Sequence, residues 1–279
     1  MMMVLRKNYD RQLEELNREL IEMGALCETC IGLVAKALQG ETGEAPEAVQ
    51  EGLAHASAIM EATQTAEQSV LQKQLTEGLE KVELSEETPK QLAGRVYHID
   101  SQIDQSERDI EALCLKLLLR QQPVASDLRL VSAALKMISD MERIGDQCAD
   151  IADIVRVLDA QETLCLESAV DIQAMASATM KMVTKAVDSF VSMNLVVARG
   201  VIQADDQVDQ LFSKVKVEII ELVAKTPSQG EALLDLLMIA KYFERIGDHA
   251  TNIAEWVAFA ITGEHEKKTK YQFLGEGEV

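Results

Sequence analysis

Proline occurs four times in 279 residues, and aromatic side chains make up only 4%. That scarcity leaves little material for the strands and turns of a β-rich domain. No apolar run approaches the ~20 residues that a membrane-crossing helix needs, and residues 1–10 lack the apolar core of a signal peptide. Basic residues are short as well: 27 Lys and Arg stand against 47 Asp and Glu, for a formal charge of −20. Without a basic stripe to neutralise phosphates, nucleic acid is not an expected partner. No glycine-rich anion cradle occurs, so direct phosphate binding is not expected either. Five cysteines, odd in number and scattered, describe reduced thiols rather than a disulfide framework. What dominates instead is Leu, Ala, Glu, Met and Val, the composition of an all-α protein. A cytoplasmic protein that attracts cations or a basic surface is the expectation.

One pentapeptide occurs twice: Glu142-Arg143-Ile144-Gly145-Asp146 returns as Glu244-Arg245-Ile246-Gly247-Asp248. The match extends outward, Leu135 with Leu237, Ile151 with Ile253, Ala152 with Ala254 and Val155 with Val257. The chain is a tandem repeat, and the repeated feature is acidic. Hydrophobic periodicity and the proline positions predict six principal helices, at about 4–39, 89–121, 123–159, 163–193, 195–225 and 227–262. Thr88-Pro89-Lys90-Gln91 reads as an N-cap, a proline at the first helical position and a capping-box glutamine. Two of the helices carry seams alternating in steps of four and three: Leu130 through Met141 and Cys148 to Leu158, and Ala232 through Phe243 and Ala250 to Ala260. Such seams call for antiparallel bundles. The expected architecture is two tandem three-helix bundles, 1–160 and 161–263, with a polar tail at 264–279. A helical insertion at 41–84 has no counterpart in the second half. It begins with the loop signal Gly40 to Pro46 and is expected to form a hairpin that breaks within 61–68.

Each repeat has a second acidic pair on the preceding helix, Asp100/Asp104 and Asp205/Asp209. Residues four apart share a helix face. Counted from the turns near 122 and 227, each pair stands level with its partner pair, Glu142/Asp146 or Glu244/Asp248, across an antiparallel helix pair. The acids flank the apolar seams, so each cluster opens along an outer groove, with Asp205 nearest the apolar stripe. Gly145 and Gly247 lie on the flank facing the partner helix, where close approach of a helix or an ion would require them. Converging carboxylates repel or raise their own pKa values unless a cation sits among them. All-oxygen sites without histidine suit hard ions such as Mg²⁺, Ca²⁺, Mn²⁺ or iron. The competing reading is a solvated acidic face, with Arg143 or Arg245 pairing with a neighbour.

At these residues the chain resembles the PhoU family of phosphate-transport regulators. Leu118 to Arg129 followed by Met141 to Asp146 resembles the family's first-repeat motif, and Phe243 to Glu255 is similar to its second. The resemblance covers about 4–40 and 89–263; the insertion and the tail depart from it. It implies paired three-helix bundles and E/D-x-x-x-D motifs that bind metal, mapping onto Asp100, Asp104, Glu142, Asp146, Asp205, Asp209, Glu244 and Asp248. The implied cofactors are metal ions, multinuclear iron clusters among them, with Mg, Mn or Zn as alternatives. The implied function is a regulator without catalysis: it represses the phosphate-starvation response and limits uptake. Its partners would be the ATPase subunit of the Pst transporter and a PhoR-type histidine kinase. It would form a homodimer and meet the membrane only through those partners. A carboxylate-bridged metalloenzyme is the alternative, weakened because the Glu-x-x-His pattern of helical di-iron enzymes is missing.

The remaining conspicuous residues read as structural. Cys27 and Cys30 form a CxxC inside a helical pattern and are expected to pack. His249 is left out of the metal shell because its repeat equivalent is Gln147, whereas Asp150 and Asn252 extend the motifs by one turn and are candidate ligands at the rim. His55, His98 and His265 carry no spacing signal. Met175, Met180, Met182 and Met193 are expected as core filler.

Overall fold

A computed structural model describes residues 2–39, 46–64, 88–158 and 171–265. Seven α-helices occupy those segments: α1 (Met2–Gln39), α2 (Glu47–Gln64), α3 (Pro89–Gln121), α4 (Ser126–Val157), α5 (Ile172–Val191), α6 (Leu195–Lys225) and α7 (Gly230–Thr262). Helices α1, α3 and α4 pack on one another, and so do α5, α6 and α7. The two groups are joined by α4 against α7 and α1 against α5, while α2 lies across α1 and α5. One continuous apolar core runs through both.

The helix starts follow local chemistry. At α3 the Thr88 hydroxyl accepts from the Gln91 N–H at 3.4 Å, and the Gln91 side chain accepts from the Thr88 N–H at 2.9 Å. This completes the expected capping box, with proline at the first turn. Asp171 caps α5 through the Ala174 N–H, and Asn194 caps α6 through Val196 and Val197.

Two helices begin later than the sequence suggests. Helix α4 starts at Ser126, not 123, because the turn places Gln122 and Ala125 at φ values of 46° and 51°. Helix α7 is preceded by a 3₁₀ turn, Pro227–Gln229, that uses the proline. Of the expected helix at 163–193, the described part is Ile172–Val191. Within the insertion, Glu47–Gln64 is helical. Its expected second limb, and the tail beyond His265, lie outside the described residues.

The seams are buried as their spacing requires. Met137, Met141, Ile144, Cys148, Ile151 on α4 and Leu236, Ile239, Phe243, Ile246, Ala250 on α7 are fully enclosed. Cys27, Cys30, Cys114 and Cys148 are buried free thiols, and the Cys27 thiol donates to the Met141 carbonyl at 3.5 Å. Met175, Met180 and Met182 fill the core, whereas Met193 does not. It sits exposed in the α5–α6 turn at φ 47°, because the turn needs a left-handed residue there.

Candidate functional site: an acid-lined groove in each repeat

In the first repeat the antiparallel pair α3 and α4 brings the four expected acids into one electrostatic neighbourhood. Asp100 feels the charges of Asp104, Asp146 and Asp150. Glu142 feels Asp146, Glu107 and Asp104. Burial is the main cause that pushes the Asp100 carboxyl up to about 6, with those three negative neighbours adding to it. Burial and then Asp146 raise Glu142 in the same direction, with Arg143 opposing. Gly145 is what lets the helices close here. A Cβ at that position would stand 2.7 Å from Asp100 Oδ1 and 3.1 Å from Ile103. The same Asp100 oxygen is buried and has no hydrogen-bond partner. A buried carboxylate oxygen without a donor is costly, and hard oxygen donors around it are what a divalent cation takes. In donor chemistry the groove therefore fits a metal ion.

Arg143 supplies the competing arrangement. Its guanidinium reaches Asp146 at 2.8 Å and Glu142 at 3.4 Å, pairing with both acids on their own helix. Among the described residues no three His, Cys, Asp or Glu side chains stand close enough to hold a metal ion. Among the described residues the acids are electrostatic neighbours that do not converge on one point.

In the second repeat α6 and α7 pack as the equivalent helix pair, with different contacts at the acids. Asp205 is only 6% exposed, in keeping with its place near the apolar stripe. Asp209, Glu244 and Asp248 are half-buried. Lys241 pairs with Glu244 and lies over the Phe212 ring at 5.3 Å. Gly247 faces α6 as expected, but its nearest neighbour is Val208, at 3.4 Å from a built Cβ, rather than a carboxylate.

Three acidic participants escaped the sequence pattern. Glu107 borders the first groove and accepts from the Ser139 hydroxyl at 3.3 Å. Asp140 accepts from Asn252 at 3.0 Å and stands 2.9 Å from His249 Nδ1. His249 thus ties α7 to α4. Across the same helix pair Tyr242 donates to Asp150. Asp140 and Tyr242 are repeat equivalents, as are Asp150 and Asn252, so the two contacts form one pseudo-twofold pair. The third, Glu28, is 1% exposed and meets His55 of the insertion at 3.0 Å; Asp188 lies 3.9 Å from the other ring nitrogen. Spacing alone does not reveal such pairs, because each depends on how separate helices meet.

Fold and sequence together define a class: an all-α tandem repeat with acidic pairs on the paired helices of each repeat. The PhoU domain matches residues 79–155 and 172–257. The chain belongs to the PhoU family. It is 36% identical over 172 residues to a Pseudomonas aeruginosa protein called a phosphate-specific transport system accessory protein PhoU homolog, covering 62% of this chain and 71% of that one. A Clostridium acetobutylicum homolog of the same description is 32% identical over 196 residues, covering 70% and 87%. The crystal structure of PhoU from Pseudomonas aeruginosa superposes with a TM-score of 0.66 at 28% identity, over 92% of this chain and 100% of that one. The Streptococcus pneumoniae phosphate transport system regulatory protein PhoU, at 23% identity and a TM-score of 0.64, shares the fold.

Proposed function

We propose that this chain is a non-catalytic regulator of phosphate uptake, a cation-binding adaptor between a phosphate transporter's ATPase subunit and a PhoR-type sensor kinase. In this reading it represses the phosphate-starvation response when phosphate is plentiful. The names of its relatives support the accessory role. The observation that carries the cation-binding part is Asp100 Oδ1, buried without a donor among negative neighbours and pressed against Gly145. Asp100, Asp104, Glu142 and Asp146 would hold metal in the first groove, and Asp205, Asp209, Glu244 and Asp248 in the second. The metal would supply positive charge that lets the carboxylates converge; iron, Mg, Mn or Zn fits the donor set to different degrees. A cytoplasmic homodimer belongs to the same reading, and among the described residues no helix is long and apolar enough to cross a membrane.

The −20 charge favours a basic partner surface meeting these grooves. The test is a pull-down of the transporter ATPase subunit and the kinase by wild type and by a variant with all eight acids changed to Asn or Gln. Loss of capture by the folded variant is expected. Undiminished capture would contradict a role for the grooves in docking.

A further inference from the structure

On the face formed by α5 and α6 lies a second concavity, unrelated to the acids. It has a volume of about 300 Å³. Small residues hollow it from both sides, Ala174 and Ala178 on α5 and Gly200 and Ala204 on α6. Buried Met182 and Val201 form its apolar floor. Gly200 is the informative position. A Cβ built there would meet nothing within 4 Å, so helix packing does not call for glycine. Glycine nevertheless weakens a helix, and at this position it leaves that flank of the hollow without a side chain.

The polar groups of this hollow are of one kind. Lys181 and Lys185 project one turn apart on α5, with Ser177 and Gln207 beside them, and no Asp or Glu belongs to the lining. In a chain of charge −20 that is a local inversion. Lys214, Lys225 and Lys241 each sit against a carboxylate. Lys181 and Lys185 enter no ion pair among the described residues. An apolar hollow with a few polar groups at one side is how small-molecule sites are commonly built, and this volume stands at the lower end of their range. A bare inorganic anion would leave most of it empty.

We propose that the α5–α6 hollow binds a small organic phosphate, its body over Ala178, Gly200 and Val201 and its phosphate between Lys181 and Lys185. Paired ammonium groups recognise phosphate as point charges, so no backbone cradle is required. Ser177 and Gln207 supply the hydrogen bonds that orient the ligand.

The test is titration of the isotopically labelled full chain, followed by amide resonances, with adenosine monophosphate, inorganic phosphate and adenosine as probes. Two variants accompany it: Lys181→Gln/Lys185→Gln, which removes the charge, and Gly200→Leu, which fills the hollow and favours the helix. Adenosine monophosphate is expected to shift resonances of the lining residues, and each variant to weaken that binding about tenfold or more. Inorganic phosphate and adenosine alone are expected to bind more weakly. The proposal is overturned if none of the probes shifts the lining, if binding survives both variants, or if inorganic phosphate binds as tightly as the nucleotide. The acid grooves are untouched by either variant, so failure here is separable from failure of the adaptor reading.

Discussion

Single residues set what each groove can do, and the two motif glycines separate cleanly. Gly145→Ala drives a methyl to 2.7 Å from Asp100 Oδ1, so the carboxylate or the helix must move. Gly247→Ala makes only an ordinary contact with Val208 at 3.4 Å. Alanine favours a helix over glycine by about 1 kcal/mol. Gly247→Ala is therefore expected to raise the midpoint of urea unfolding, and Gly145→Ala to lower it. Equal effects would show that Asp100 relaxes freely. The pentapeptide is identical in both repeats, so this asymmetry was not legible in it; it arises from what α3 and α6 place opposite.

Glu28 yields the pH dependence. Burial raises its carboxyl above the usual range, with His55 and Thr184 opposing and Asp188 adding to the rise. The folded state therefore holds this proton to higher pH than the unfolded chain does. Stability then falls as pH rises from the ordinary carboxylate pKa through the raised one. Glu28→Gln is expected to flatten that part of the stability–pH curve, measured by urea unfolding at fixed ionic strength. An unchanged slope would show that Glu28 carries no such proton. Nothing in the spacing of His55 or Glu28 announced the pair, since it forms only when the insertion meets α1.

At the scale of elements, legibility tracked local chemistry. Helix α3 begins where Thr88, Pro89 and Gln91 said it would, and α6 spans the expected 195–225. Thr88→Ala should cost about 1 kcal/mol through loss of the cap. It would appear as a lower urea midpoint with unchanged slope, and an unchanged midpoint would mean that tertiary packing holds the α3 terminus without the cap. The start of α4 is not readable from sequence, because its turn depends on left-handed backbone at Gln122 and Ala125, two residues with no composition signal for it. The seams succeeded for the opposite reason: a period sustained over the whole of α4 and α7 averages out local exceptions. Asp205 shows the same logic, since its closeness to the stripe foretold its burial.

Across the whole molecule, the internal repeat in the sequence becomes a pseudo-twofold arrangement about the α4–α7 pair. Asp140 with Asn252 and Tyr242 with Asp150 are the two halves of one contact. The duplication predicts two acid clusters; the packing of α4 on α7 and α1 on α5 shows one core beneath both repeats. The insertion, absent from the second half, straps α1 to α5 through α2. There Gly32 admits Leu53, and Gly52 admits Met180, each closer than a Cβ would allow.

The duplicated carboxylates are proposed here as cation sites. Elemental analysis of protein purified without chelator tests that assignment most directly, with wild type set against Glu142→Gln/Asp146→Asn and Glu244→Gln/Asp248→Asn, and the helical fold checked by circular dichroism. Bound metal is expected in the wild type, reduced in each folded double variant and abolished when the two are combined. Wild type free of metal, or variants that retain the full amount, would contradict it and leave the acids as a solvated face paired with Arg143 and Lys241.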